Sequence, residues 1–192
     1  NEFSIVHLTS TSLATRRDLL QNILFELDRP YQGKLEGELR LDLMEHLKPS
    51  EKCPNGILVL VDEAHSLTDD VLDELKSISN YQREGRPRVR FALAGSARLE
   101  ETLAKPRFDS LSQRISSRCY LQPLSLEEVG GFVEQQLSRA GSSIERVFES
   151  GAMETLAEIS GGIPRVVNQV CCHAMILAAC NGIAQVSSNL LG

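Results

Sequence analysis

The sequence predicts an α/β fold: a parallel, helix-covered sheet followed by a small all-helical domain. Three observations predict it. Strand-like runs at residues 3–8, 57–61 and 89–94, the middle one continuously apolar and β-branched-rich, alternate with stretches whose apolar residues recur at helical spacing. Such alternation is the pattern of parallel strands joined by helical crossovers. After Pro123 strand signals stop, and helices are expected near 126–140, 151–160 and 164–181. The expected division is therefore residues 1–123 and 124–192.

Each element has its own local argument. Residues 3–8 read as a buried strand, and Leu19, Leu20, Ile23, Leu24 and Leu27 follow on a helix begun near Thr11 or Ser12. Pro30 and two glycines mark 28–37 as a loop, after which Leu39, Leu43, Met44 and Leu47 define a second amphipathic helix. Residues 48–55 are polar, contain two prolines, and form a connection. The continuous apolar run 57–61 suits a strand covered on both faces. Thr68 suits a helix cap with Asp69 and Asp70 in the first turn, and Val71, Leu72, Leu75 and Ile78 face inward. Residues 89–94 are a third strand, 99–103 and 111–115 are helical, and Cys119, Tyr120 and Leu121 make a last short strand. Ser125 and Glu128 have capping-box spacing, and Ser160-Gly-Gly-Ile-Pro164 ends one helix and opens another.

Composition removes several function classes. The 192 residues are 42% hydrophobic and 24% charged, as in ordinary globular proteins. No apolar run approaches a bilayer span, and neither a transmembrane segment nor a secretory leader is expected. A net charge of −6 argues against a globally basic nucleic-acid binder. Five cysteines (Cys53, Cys119, Cys171, Cys172 and Cys180) without CxxC spacing argue against zinc or a disulfide framework and for thiols in a reducing cytoplasm. His7 and His65 lack a second ligand at metal spacing. Cys171 and Cys172 sit among Val166, Val167, Val170 and Ala174, which reads as core packing.

Chemistry concentrates in GILVLVDEAH, residues 56–65. An apolar strand ending in Asp62 and Glu63 aims two carboxylates into the crevice beyond the strands' carboxyl ends, where open α/β sheets bind ligands. There one carboxylate can hold hydrated magnesium while the next orients or deprotonates a water. A buried strand ending in an acidic turn is the plain alternative. The letters DEAH, with Gly95-Ser-Ala97 downstream, also suggest a helicase. Arg98 follows that Ser-Ala pair, Gln113-Arg-Ile-Ser-Ser-Arg118 lacks a helicase motif's glycines, and the remainder is helical, all against a helicase fragment.

VDEAHSL, AGSARLEE, LSQRISSRCYLQPLSLEE and SGGIPRVVNQV, in that order between residues 61 and 170, resemble an AAA+ ATPase. The chain is most similar to the bacterial branch holding the A component of type II secretion and the transposition-helper ATPases. The resemblance runs from residue 3 to 179 and implies a P-loop NTPase-type sheet followed by a helical lid. It implies Mg2+ coordination by Asp62, water activation by Glu63 and a sensor 1 role for Ser96. Close relatives in the secretion branch often carry glutamine at the Ser96 position, and a serine capping the next helix is a rival reading. Arg118, in Ser117-Arg-Cys119, looks like the arginine finger that reaches a neighbouring subunit's γ-phosphate; Arg114 is the alternative. Arg165, after Pro164, is similar to the sensor 2 arginine.

The family's glycine-rich GxxxxGK[ST] loop, which wraps the phosphates of ATP, has no counterpart here. The only Gly-Lys pair, Gly33-Lys34, is followed by Leu35 and lacks the earlier glycine. By the resemblance, the sheet lacks its first, central strand. A chain starting at Asn1 is expected to be a fragment of a longer ATPase; a degenerate paralogue, or a strand supplied by another chain, are the alternatives. The expected parent is a cytoplasmic homo-oligomer that couples Mg-ATP hydrolysis to assembly or remodelling of a secretion or transposition complex, with these residues alone inactive. A non-catalytic protein-interaction scaffold on the same fold is the rival class. The basic stretch Arg83, Arg86, Arg88 and Arg90 is a loop that could touch DNA phosphates.

Overall fold

The structure, a computed structural model, describes residues 3–51 and 53–192. Asn1, and Lys52 in the expected connection, lie outside the described residues. Two compact units divide between Arg118 and Cys119.

The first unit is built on a three-stranded parallel sheet of order β1-β2-β5 among the described residues, from β1 (Ser4–Thr9), β2 (Ile57–Asp62) and β5 (Val89–Leu93). In the register Val6 pairs with Val59 and Val59 with Phe91. The first connection carries α1 (Arg16–Glu26) and α2 (Glu36–His46); the second carries α3 (Asp69–Ser79). Helix α1 starts later than its apolar spacing suggests. Thr15 caps it, accepting from the Asp18 amide while the Asp18 carboxylate accepts from the Thr15 amide, and residues Ser10–Ser12 form a separate 3-10 turn. That reciprocal box satisfies two amides the helix cannot pair, so it outweighs the earlier hydroxyls.

The sheet is covered more on one face than the other. Val6, Leu8, Ile57, Val59 and Val61 are buried, whereas Leu58 and Leu60 are half-buried and Ile5 is 55% exposed. The expectation of a strand covered on both faces thus holds for one face only. Period-two geometry sorts the residues: Ile5, Leu58 and Arg90 share a register row on the open side. A second correction concerns residues 119–121, which form no strand. A strand exists only through bonds to a neighbour, and Leu121, 94% exposed, joins neither sheet among the described residues.

The basic loop is also more structured than expected. Arg83 and Arg86 belong to a two-stranded hairpin, β3 (Gln82–Arg83) and β4 (Arg86–Pro87), turned by Glu84 and Gly85, both at positive φ as a type I′ turn requires. Arg88 is buried, and it donates to the carbonyls of Leu47 (2.8 Å), Pro54 (2.9 Å) and Cys53 (2.5 Å). A guanidinium fully engaged with carbonyls cannot reach a phosphate, so the expectation of DNA contact by Arg88 is wrong. Gly56, at φ 89°, is required beside it, because a Cβ there would lie 2.1 Å from the Arg88 carbonyl oxygen.

Helices α4 (Ala97–Leu103) and α5 (Asp109–Ser112) complete the first unit. The second consists of α6 (Leu126–Arg139), α7 (Ile144–Val147), α8 (Ala152–Ser160), α9 (Pro164–Cys180) and α10 (Ser188–Leu191). Its core gathers Val129, Val133, Phe148, Leu156, Val167, Cys171, Ala174 and Ala178. On α9 the buried positions 167, 171, 174 and 178 keep one helical face, which leaves Cys172 outside, contrary to a core role for both cysteines. Burial pushes the Cys171 thiol up to about 11.

Candidate functional site

Residues at the carboxyl end of the sheet converge on Asp62. As the last residue of β2 it is exposed, and its Oδ1 accepts the Glu63 amide at 2.8 Å. Glu63 turns the chain sharply, at φ 55° and ψ 31°, and its side chain is 62% exposed. Left-handed backbone costs a residue with a Cβ about 1 kcal/mol. The turn then closes as the 3-10 segment Ala64–Ser66, whose first residue is buried. The carboxylates thus project from a strained turn at the strand ends, outside the core.

The end of β5 is laced to this turn. The Ala64 amide donates to the Ala94 carbonyl at 2.8 Å, and the Ser96 amide to His65 Nδ1 at 3.3 Å. Across the same ring, His65 Nε2 lies 3.5 Å from Glu63 Oε2. One imidazole therefore stands between Glu63 and Ser96, singled out separately in the sequence, bonded to the second and facing the first. Sequence reasoning considered His65 only as a metal ligand, and among the described residues no three His, Cys, Asp or Glu side chains could hold a metal ion by themselves. The signal available was its place two residues after Glu63, which a 3-10 turn folds back beside the carboxylate.

Ser96 occupies the N-cap position of α4, yet its hydroxyl makes no capping hydrogen bond, so the capping explanation of this serine gains no support. Arg118 is held: Nη2 donates to Ser112 Oγ at 2.7 Å and Nε lies 3.5 Å from Glu100 Oε1 on α4. Arg114 is exposed. Arg165 is exposed in the first turn of α9 in the second unit. The helix is opened by Gly161 and Gly162, both at positive φ, and a Cβ on Gly162 would lie 2.1 Å from the Leu124 carbonyl oxygen.

Arg83, Arg86 and Arg90 lie toward the opposite end of the sheet from Asp62, because β5 starts where β2 starts. Arg83 hydrogen-bonds the Tyr81 hydroxyl at 3.0 Å, and the Arg90 guanidinium stands 4.5 Å above the Phe3 ring. Arg86, Arg88 and Arg90 line an open cavity of about 300 Å³ with Phe3 and Pro54.

A parallel sheet with an acidic pair at its carboxyl edge is the ligand-binding arrangement of an open α/β protein, and a separate helical unit follows it. The chain belongs to the AAA domain family, which it matches over residues 1–103. Among characterised relatives it is 35% identical over 182 residues to General secretion pathway protein A of Aeromonas hydrophila. That alignment covers 94% of this chain and 33% of the relative, so the chain spans about a third of its length. Solved structures share the fold at lower identity. The ORC2 protein of Aeropyrum pernix matches with a TM-score of 0.69 at 18% identity, over 97% of this chain and 50% of its own. Cdc6p of Pyrobaculum aerophilum matches with 0.71 at 16%, over 95% and 49%. RuvB of Thermotoga maritima matches with 0.54 at 17%, over 97% and 59%.

Proposed function

We propose that these residues supply the magnesium- and water-handling half of an ATP-hydrolysing site, together with the helical lid. The observation that carries the reading is the placing of Asp62, Glu63 and the Ser96 loop together at the carboxyl edge of the parallel strands. The residues fit magnesium of a particular kind. Asp62 keeps Oδ2 clear of the bond made by Oδ1, and an exposed carboxylate with one oxygen uncommitted suits an ion shared with substrate phosphates and water. Magnesium bound there would neutralise charge developing on the transferred phosphoryl group. Asp62 is assigned its coordination, and Glu63 the orientation and deprotonation of water.

The remaining roles follow the same reading. Ser96 contacts the water or γ-phosphate. Arg118 or Arg114 is assigned to the nucleotide of a neighbouring subunit in a homo-oligomer, and Arg165 is assigned the sensor 2 role toward the chain's own nucleotide. The two candidate fingers differ in readiness, since Arg118 must first leave Glu100 and Ser112. The phosphate-cradling loop is not among these 192 residues, so it must be supplied from outside them. The assembled ATPase would act in the cytoplasm on a secretion or transposition complex, with the secretion side favoured by the 35% identity to the Aeromonas hydrophila protein. DNA contact, if it accompanies that work, falls to Arg83, Arg86 and Arg90.

Calorimetric titration tests the division of the site. The 192-residue chain alone should bind Mg-ATP weakly or not at all, because the backbone amides and lysine that normally hold the phosphates are not in it. Micromolar binding by these residues alone would overturn the proposal.

A further inference from the structure

We infer that His65 is a positioning residue for Glu63, held as the neutral Nε2–H tautomer by the Ser96 amide; this rests on the reading of Glu63 as the water-orienting carboxylate. The tautomer follows from the hydrogen bond. Nδ1 can accept the Ser96 amide, 3.3 Å away, only if it carries no proton, so the ring's single proton sits on Nε2. Nε2 is the atom that faces Glu63 Oε2, at 3.5 Å. The ring therefore accepts from the Ser96 loop and turns its protonated nitrogen toward the Glu63 carboxylate.

The surroundings fix the ring more tightly than the carboxylate it addresses. The His65 side chain is 19% exposed against 62% for Glu63. Gly95 passes close above the ring, where a Cβ would lie 3.1 Å from the His65 amide nitrogen and 3.4 Å from Nδ1. The bond from Ala64 to the Ala94 carbonyl holds the two chain segments at that separation. Glu63, on a flexible stem in a strained turn, has no comparable anchor of its own among the described residues. A shift of the Ser96 loop therefore moves the imidazole and, through Nε2, the carboxylate. Ser96 and Glu63 respond to nucleotide as one unit.

Two amide side chains separate the two contacts. Asn at this position places an acceptor where Nδ1 stood and cannot reach Glu63. Gln places a donor where Nε2 stood. In long-range 1H–15N NMR spectra of the 192-residue chain at neutral pH, His65 should show a protonated Nε2 and an unprotonated Nδ1. Glu63→Gln should shift the Nε2 signal, and the Ser96 amide should move in His65→Ala but stay in His65→Asn. A ring protonated at Nδ1, or one unmoved by Glu63→Gln, overturns the inference.

In the ATPase assembled with its phosphate loop, His65→Ala and His65→Asn should each lower kcat on the order of ten-fold with KM unchanged, as misplacement of a reacting group does. His65→Gln should restore most of the loss. Wild-type turnover by His65→Asn would show that only the Ser96 contact matters and overturn the inference. Turnover indifferent to Glu63→Gln would instead overturn the ATPase reading, while the NMR signature still decides the contact.

Discussion

Replacing Arg88 by Met should destabilise the first unit by about 3 kcal/mol. Met keeps most of the apolar stem and removes the donors to Leu47, Cys53 and Pro54, which tie residues 47–54 to the start of β5. A hydrogen bond to a charged group contributes about 1.5–3 kcal/mol, so three would sum well above the expected figure. Two effects reduce it. The buried guanidinium's own desolvation is relieved when it is removed, and water reaches the part-buried Pro54 contact. About 1 kcal/mol per lost bond remains. Urea unfolding should show a lower midpoint at unchanged m, and thermal unfolding should fall by about 2–4 °C for each kcal/mol in a chain of this size. Arg86→Met, on the exposed hairpin, is the control and should stay within about 0.5 kcal/mol of wild type. If Arg88→Met is equally silent, Arg88 is not the clamp described, and its exclusion from DNA contact falls with it.

Further outcomes follow from other sites. Gly162→Ala places a Cβ against the Leu124 carbonyl at positive φ, so the second unit should lose about 2 kcal/mol or more, measured by urea unfolding. Thr15→Ala opens the capping box of α1 and should cost about 1 kcal/mol by the same assay. Glu63→Gly relieves left-handed strain and should raise stability by about 1 kcal/mol, while removing the carboxylate the proposal needs. Glu74, 2% exposed and paired with Arg40 at 2.7 Å, has its carboxyl pushed above the usual range chiefly by burial, with Arg40 pulling the other way. A folded-state pKa above the unfolded value means the native state binds the proton more tightly. Wild type should therefore gain stability relative to Glu74→Gln as pH falls through that raised pKa, and lose it again as pH rises. A stability difference that is flat from pH 7 to about 4.5 would contradict the burial argument.

Much of the fold was legible because its signals are local. The strands at 57–62 and 89–93 and the capping box at Ser125 depend on residues that stand next to one another in sequence. What was not legible depends on distant partners. Residues 119–121 are apolar enough for a strand, but strand formation needs a neighbour that no local pattern reports. Arg88 sits in a run of surface arginines and differs from them only because the carbonyls of residues 47–54 fold over it. In the site, the acidic pair was visible as an abrupt end to an apolar run. The link through His65 was not, because Ser96 is 31 residues away and meets it only when β5 lies beside β2.

On the proposed reading, Glu63 acts on water at an ATP site that Asp62 helps to build. The most direct test of that reading is Glu63→Gln in the ATPase completed by a phosphate loop, measuring ATP turnover and ATP binding on the same sample. Turnover should fall by two orders of magnitude or more, on the order expected for loss of a general base, with binding unchanged. Turnover equal to wild type would remove Glu63 from the chemistry and contradict the account.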